Sequence, residues 1–461
     1  MKIMKFGGSS VSDAGRIRGV IDIISRSVRE SGACGVVFSA LGGVTDQLIE
    51  ISRTAAREDE RYEDKLYEFE KRHFQIINEL IGVKGRNTVL VQIKMMANEL
   101  SDVLHGVFLV KELTDKTLDF IMSFGERLTG TIITEALKES GVTADYLDAR
   151  ALVRTDDHFG AARINVKRTY PNIIEYFAGH KGIQVITGFI GSTDKNETTT
   201  LGRGGSDLTA SIFAAALNAE ELEIWTDVTG VMSADPRKVQ DAFAVSELTY
   251  EEAMEMSHFG ARVIYPPTIQ PVLEKHIPIR IKNTFAPGED GSVIRAKVSS
   301  GSDYLIKGIS STDNVALLRV QGSGMIGVTG IAGRLFAALA TERINIILIS
   351  QASSEHSICF AVEDGIAGRA KRLIEKEFAL EINARMIDEV IVENDLIIVA
   401  IVGENMRHTP GISGKLFQAF GVAGVNVIAI AQGSSELNIS VMIRHDEELK
   451  ALNAIHETFF T

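Results

Sequence analysis

The chain has 461 residues, 45% of them hydrophobic and 24% charged; this excludes a disordered or fibrous chain and leaves room for two or three domains with large cores. Its net charge of −13 argues against a nucleic-acid surface, which needs a basic field. Two cysteines, Cys34 and Cys359, are too few for a secreted disulfide scaffold, and no apolar run approaches the ~18 residues of a membrane span.

Met1–Phe6 enters a strand pattern at once, with no signal-peptide character, so a cytoplasmic protein is expected. Ile3–Phe6 reads as a strand and Gly7-Gly8 as a turn. Asp13–Arg29 reads as a helix, with Ile17, Val20, Ile21, Ile24 and Val28 at helical spacing. Further buried strands are expected at Gly35–Ser39, Gly182–Thr187 and Leu222–Thr226, with a mainly helical stretch from 45 to 140. Strands alternating with helices imply an α/β fold with a mostly parallel sheet covered on both faces. Ligands of such a sheet sit at the carboxyl ends of its strands.

Turn and polar residues at Phe285–Gly288 and Ser299–Asp303 place a domain boundary near 298–303. Beyond it lies an internal repeat with an offset of 81 residues, the difference between 411 and 330. Gly330–Phe336 matches Gly411–Phe417, and Asn345–Glu355 matches Asn426–Glu436. Each unit reads strand, helix, strand, strand, helix. The first has a candidate fourth strand at Ile382–Ile387. The second ends on a helix, Glu447–Phe460, and lacks one. Tyr304–Ser310 is expected to supply it, making the first unit an insertion within the second. The expected divisions are 1–297, 314–390 (inserted), and 303–313 with 391–461.

Three polar, glycine-bearing segments follow strands. Lys5–Ser10 offers backbone N–H groups and a lysine to phosphate oxygens. Leu201–Asp207, following Thr198–Thr200, leads into a helix expected at Leu208–Leu217; Asp207 there either caps the helix or orients Lys5 or a metal ion, and Arg203 can grip a carboxylate. Trp225–Val231, followed by Asp235-Pro236-Arg237, is the third. There is no G-x-x-x-x-G-K-S/T loop and no protein-kinase motif set. Gly322–Gly327 fits G-x-G-x-x-G, but its repeat partner Gly403–His408 loses two of the three glycines, so it reads as a turn. The ten histidines show no zinc spacing, and no resident metal site is expected.

Lys5–Ser10, Ser123–Arg127, Thr187–Gly191, Thr200–Asp207, Ile224–Gly230, Glu252–Pro266 and Ile281–Thr284 occur in the order seen in aspartate kinases, which the chain resembles over its whole length. The repeats resemble tandem ferredoxin-like ACT domains. The resemblance implies an amino-acid-kinase fold and phosphorylation of the β-carboxylate of L-aspartate by ATP with Mg²⁺. That is the first step toward lysine, threonine and methionine.

By the same resemblance, Lys5 and Asp207 are catalytic. Ser39, Thr45, Glu126, Arg203 and Ser206 hold aspartate. Lys5, Phe6, Gly7, Gly8, Ser9, Thr226, Asp227, Met232, Arg237 and Arg262 hold the nucleotide. Met232 stands where an aromatic is common, and Arg262 where lysine is common. Gln351 and Gln432, with Met325, Asn345 and Ser353, match effector positions, for threonine first and lysine second. The resemblance also implies a homo-oligomer, at least a dimer through the ACT units. Ala451–Glu457 resembles the segment that leads into homoserine dehydrogenase in fused relatives. Two alternatives remain open: a related kinase with another acceptor, or a catalytically weak sensor.

Overall fold

The structure, a computed structural model, describes every residue except 32–34, 259–263, 299–303 and 352–355. It comprises two compact units. The first is Met1–Val231 with Ser246–Tyr250 and Val263–Val298. The second is Met232–Val245 with Glu251–Arg262 and Ser299–Thr461. Among the described residues, no helix is long and apolar enough to cross a membrane.

The strands of the first unit are β1 (Lys2–Phe6), β2 (Gly35–Phe38), β3 (Ala144–Leu147), β4 (Ile183–Thr187), β5 (Ile190–Ser192), β6 (Thr198–Thr200), β7 (Glu221–Thr226), β8 (Glu247–Thr249), β9 (Ile279–Asn283) and β10 (Ser292–Arg295). Eight of them form one sheet in the order β3-β4-β2-β1-β7-β9-β10-β8. All neighbours are parallel except β9 and β10. β5 and β6 form a separate hairpin. β2 and β4 are buried at every residue, as expected of strands covered on both faces.

The helices that begin in the first unit are α1 (Ala14–Ser31), α2 (Val44–Ala56), α3 (Arg61–Leu80), α4 (Val83–Val110), α5 (Asp115–Glu139), α6 (Val166–Gly179), α7 (Gly205–Ala216), α8 (Tyr250–His258) and α9 (Pro266–Glu274); α8 continues into the second unit after Tyr250. The α1 stripe Ile17, Val20, Ile21 and Ile24 is buried in one core with Phe6, Phe38 and the inner faces of α2 to α5. α5 is central to that core. Thr114 caps it by accepting from Thr117 N–H, and its buried residues lie on nearly every side.

The second unit contains β11 (Gly308–Gln321), β12 (Leu348–Gln351), β13 (Ser357–Glu363), β14 (Ile391–Val402), β15 (Ala429–Ala431) and β16 (Asn438–Arg444). They form one antiparallel sheet in the order β12-β13-β11-β14-β16-β15. Its further helices are α10 (Ile331–Thr341), α11 (Asp364–Glu377), α12 (Ala379–Asn383), α13 (Ile412–Ala423) and α14 (Glu448–Phe460). Period-two alternation sets its packing. Ala316, Leu318 and Val320 of β11 pack with α10 and α11, whereas Val315 and Leu317 share the other face with Leu396, Ile398 and Ala400 of β14. Ile397, Val399 and Ile401 pack with α13 and α14.

The expected strand at Tyr304–Ser310 begins at Gly308 and runs on to Gln321. Gly308–Thr312 pairs with Val402–Ile398, in the second repeat, and Val315–Gln321 pairs with β13 in the first. The register against β14 shifts between Thr312 and Val315, where Asn314 has φ 58° and Asp395 on the partner strand has φ 60°, and again between Val315 and Leu317. The strand expected at Ile382–Ile387 is absent. Ile382 lies in α12, which ends at Asn383, and the Ile382, Ala384 and Arg385 N–H groups donate back to Phe378, Leu380 and Ile382 carbonyls. Local helical hydrogen bonding overrides the alternating pattern there, and the pairing residues next to β11 are Ile391–Glu393 instead. Gly322 and Gly324 lie at a 3₁₀ turn against the Met386 backbone, consistent with a turn and not a phosphate loop.

Candidate active site

β4, β2, β1 and β7 are adjacent and parallel, so the segments after Thr187, Phe38, Phe6 and Thr226 all leave one edge of the sheet. After β1 the chain makes a 3₁₀ turn, Gly8–Val11. Gly7 N–H donates to Trp225 O at 3.2 Å, tying the turn to β7. Ser10 Oγ lies 2.7 Å from Thr284 Oγ1, tying it to the residue after β9. The N–H groups of Gly8 and Ser9 have no protein acceptor among the described residues, so two donors remain open at the turn's start. A Cβ on Gly8 would stand 2.9 Å from Ala40 O and 3.3 Å from Gly42 Cα; only glycine lets these two loops meet.

Lys5 points from β1 toward α7. Its Nζ lies 2.5 Å from Asp207 Oδ1, with side-chain exposures of 11% and 18%. Asp207 sits in the first turn of α7 but does not cap it. The helix begins two residues earlier, at Gly205, and its cap position is Gly204. Gly204 has φ +71°, and a Cβ there would lie 2.8 Å from Thr268, so backbone and space both demand glycine. The N–H groups of Ser206 and Asp207 have no protein acceptor among the described residues, and α7 presents its positive end beside the lysine. Ser206 is buried.

Glu126 lies on α5 and is 2% exposed. Its Oε1 accepts Ala40 N–H at 3.1 Å, and the next N–H, of Leu41, donates to Thr129 Oγ1 at 3.1 Å. Its Oε2 is buried with no hydrogen-bond partner among the described residues. Burial pushes the Glu126 carboxyl up to about 8, against the opposing Ala40 hydrogen bond. A deeply buried carboxyl with one vacant oxygen is suited to receive a cationic group that brings its own donors. Ser39 and Thr45 are half-buried and flank the same 39–45 segment, where Ser39 N–H donates to Phe6 O at 3.3 Å.

The structure therefore brings together Lys5, Gly7, Gly8, Ser9, Ser39, Glu126, Ser206 and Asp207 through contacts of β1, β2, α5 and α7. Phe6 is buried and stacks on Phe38 and Trp225, so it supports the loop from beneath. Arg203 is exposed, its guanidinium 5.4 Å from the Tyr265 ring, with no carboxylate partner among the described residues. Thr226 is half-buried, its hydroxyl 3.2 Å from Oδ1 of exposed Asp227. Met232 and Arg237 belong to the second unit. Arg237 is exposed and forks onto Asp235 at 2.7 Å. Arg262 and Ser353 lie outside the described residues.

In the second unit, Gln351 ends edge strand β12 and Gln432 follows edge strand β15; both are exposed. The two edges meet where Ser350 Oγ donates to Ile430 O at 3.2 Å. Asn345 is exposed, whereas Met325 is buried in the core under α10 and α11. Asp313, His445 and Glu448 form a cluster of potential metal ligands, but Lys238 Nζ already reaches it, 2.5 Å from Glu448 and 3.5 Å from Asp313. Thr284 was named only as the end of the Ile281–Thr284 motif, with no role, and Thr129 and Asp119 were missed. Asp119 was findable as a carboxylate seven residues before Glu126, two helical turns along one face.

Residues 1–283 match the amino acid kinase family, and residues 318–378 and 399–459 match the ACT domain. The chain is 36% identical over 466 residues to a chloroplastic bifunctional aspartokinase/homoserine dehydrogenase of Daucus carota, covering 99% of this chain and 50% of that protein. It thus spans about half the length of the bifunctional relatives it matches. It is 33% identical over 470 residues to chloroplastic aspartokinase 1 of Arabidopsis thaliana, covering 99% and 80%. Among solved structures, Escherichia coli aspartokinase III in complex with aspartate and ADP matches with TM-score 0.82 and 26% identity over 100% of both chains. The same enzyme in complex with lysine and aspartate matches with TM-score 0.80 and 27% identity, again over 100% of both. With the parallel sheet, the loops at its carboxyl edge and the antiparallel ACT sheet all in place, the chain belongs to the aspartokinases of the amino acid kinase family.

Proposed function

We propose that the chain transfers the γ-phosphoryl group of ATP to the β-carboxylate of L-aspartate, giving 4-phospho-L-aspartate and ADP. The observation that carries this reading is the Lys5–Asp207 ion pair, set between two open sets of N–H donors at the carboxyl edge of the sheet. A β-carboxylate oxygen attacks the γ-phosphorus while the bond to the bridging oxygen breaks, and that electron pair leaves on ADP. The acceptor is already ionised at neutral pH, so no general base is required. What the site must supply is positioning and charge neutralisation for two anions.

Lys5 places its charge on the transferred group, and Asp207 keeps that ammonium in one place. The open N–H groups of Gly8, Ser9, Ser206 and Asp207 add fixed dipoles. Glu126 Oε2 takes the substrate ammonium, and Arg203 takes its α-carboxylate. Ser39, Thr45 and Ser206 offer hydroxyls to the same substrate. Gly7, Gly8, Ser9, Thr226 and Asp227 serve the nucleotide; the roles of Met232, Arg237 and Arg262 rest on the resemblance alone. Asp207 Oδ1 is taken by the Lys5 ammonium at 2.5 Å, so approach to Mg²⁺ would fall to the other oxygen of the same carboxylate. Bound with the nucleotide, Mg²⁺ would neutralise phosphate charge.

The repeats are read as the regulatory part, taking an amino-acid effector, threonine before lysine, near Gln351 and Gln432. Pairing of Gly308–Thr312 with β14 supports the division into 1–297, an inserted 314–390, and 303–313 with 391–461. Assembly into at least a dimer through the ACT units, in the cytoplasm, completes the proposal. ADP release measured with a panel of acceptors tests it. Turnover with aspartate above every other amino acid supports it. Faster turnover of another acceptor, or none at all, overturns it in favour of a different kinase or a sensor.

A further inference from the structure

The buried carboxylate of Asp119 lies outside the catalytic set. It sits on α5, 0% exposed, seven residues before Glu126 and on the same helical face. Its Oδ1 accepts the Thr200 hydroxyl at 2.6 Å, and its Oδ2 accepts Thr200 N–H at 2.8 Å and Gly160 N–H at 2.9 Å. Every partner is a donor and none is a cation. Thr200 O in turn accepts Ala162 N–H at 2.9 Å, so one residue of the 200–205 loop is gripped through its hydroxyl, its N–H and its carbonyl. Leu201 N–H donates to Phe189 O at 2.9 Å. After that the loop passes through two left-handed glycines, Gly202 and Gly204, each at φ +71°, with Arg203 between them. The loop is therefore anchored at Thr200 and Leu201, and Thr200, three residues before Arg203, is the anchor held by α5.

We propose that Asp119 is a positioning residue for acceptor binding: by clamping Thr200 to α5, it holds Arg203 at a set distance from Glu126 on the same helix. The argument rests on the reading that Arg203 and Glu126 hold opposite ends of the amino-acid acceptor. A buried carboxylate with three donors costs more to hold in a protein interior than an apolar side chain of similar size, so a purely space-filling role does not account for it. Rigid registration of two substrate-binding groups does. Thr200 is also the last residue of β6, the point where regular hydrogen bonding ends and the glycine-rich loop begins.

The test is steady-state kinetics of Asp119→Asn in the full chain, varying aspartate and ATP separately, with Arg203→Ala alongside. Asn keeps the size and can offer its oxygen to the two N–H donors, but its NH₂ then faces the Thr200 hydroxyl, so that short charge-assisted bond is replaced by a weaker, reversed one. The expected result is a rise in KM for aspartate of about tenfold, the factor that ~1.4 kcal/mol represents, with KM for ATP unchanged. A purely structural role would instead lower kcat or active fraction without separating the two substrates, and that outcome overturns the proposal. If Asp119→Asn does not fold, Thr200→Val decides. It removes only the hydroxyl, and it must raise KM for aspartate selectively or the proposal fails. Arg203→Ala separates the two levels. If it leaves KM for aspartate unchanged, the reading of the site is wrong; if it raises KM while both clamp variants do not, only the positioning role is wrong.

Discussion

Replacing Glu126 by Gln removes a charge the fold disfavours and the substrate needs. Burial pushes the carboxyl from its ordinary 4.5 up to about 8. In the unfolded chain it ionises near 4.5, whereas in the empty folded site it keeps its proton to about 8, so folding takes up a proton across that window. The contribution to stability is fully present below pH 4.5 and is lost as pH rises to about 8. At about 1.4 kcal/mol per pH unit, the full window corresponds to an order of ~5 kcal/mol. Glu126→Gln keeps an oxygen for Ala40 N–H but cannot titrate. Urea unfolding from pH 5 to 8.5 is expected to show wild-type stability falling through the window, with the variant lacking that component. Binding runs the opposite way. The substrate ammonium favours the ionised carboxylate, so wild-type KM for aspartate is expected to fall as pH rises toward 8 and then level. The variant loses a hydrogen bond to a charged group, ~1.5–3 kcal/mol, and its KM for aspartate rises at least about tenfold with no such dependence. ADP release at saturating ATP measures this. Wild-type KM for aspartate in the variant, or the same pH dependence in both proteins, would refute the assignment of Oε2 to the substrate ammonium.

Lys5→Ala is expected to lower kcat by about 100- to 1,000-fold, the usual loss for a preorganised charge, while the melting temperature by calorimetry moves only a few degrees; equal loss of folding would sink its catalytic role. Gly8→Ala places a methyl 2.9 Å from Ala40 O. The two loops must part at a cost of about 1–3 kcal/mol, and KM for both ATP and aspartate should rise, an effect absent if the contact is incidental. Gln351→Ala and Gln432→Ala should each weaken inhibition by the amino-acid effector about tenfold or more, a loss of ~1.4 kcal/mol, leaving kcat intact; titrations unchanged with both threonine and lysine would remove these glutamines from the effector site.

The parallel half was legible because its strands are nearly continuous apolar runs, and α1 shows a clean helical stripe. The glycine loops were legible as loops, but not most of their partners. Ala40 N–H on Glu126 and Lys5 on Asp207 join residues 86 and 202 positions apart, differences of 126 and 40 and of 207 and 5, which no local pattern encodes. Asp207 was expected, as one of two readings, to orient Lys5, whereas nothing in the sequence pointed to Ala40 as the partner of Glu126. Asp207 had a local alternative as a helix cap. Placement of the helix start at Gly205 removed it, because the left-handed Gly204 takes the cap position. The miss at Ile382–Ile387 has a similar origin: an alternating apolar pattern is ambiguous when a helix has just begun at Ala379 and its carbonyls still seek donors.

β11 is a single strand with two clients. Its first five residues complete the second repeat and its last seven serve the first, with two register shifts against β14, at 312–315 and 315–317, where they join. Side chains alternate faces along it, so a slip of one residue would turn Ile309, Ala316, Leu318 and Val320 away from their cores together. The two repeats are thus geared: neither can be excised, exchanged or re-registered as a cassette without disturbing its neighbour. Length changes in this strand are best absorbed at the register shifts between Thr312 and Leu317, around Asn314, where pairing with β14 is already irregular. Duplication made the two modules alike, but the shared strand prevents them from being interchangeable.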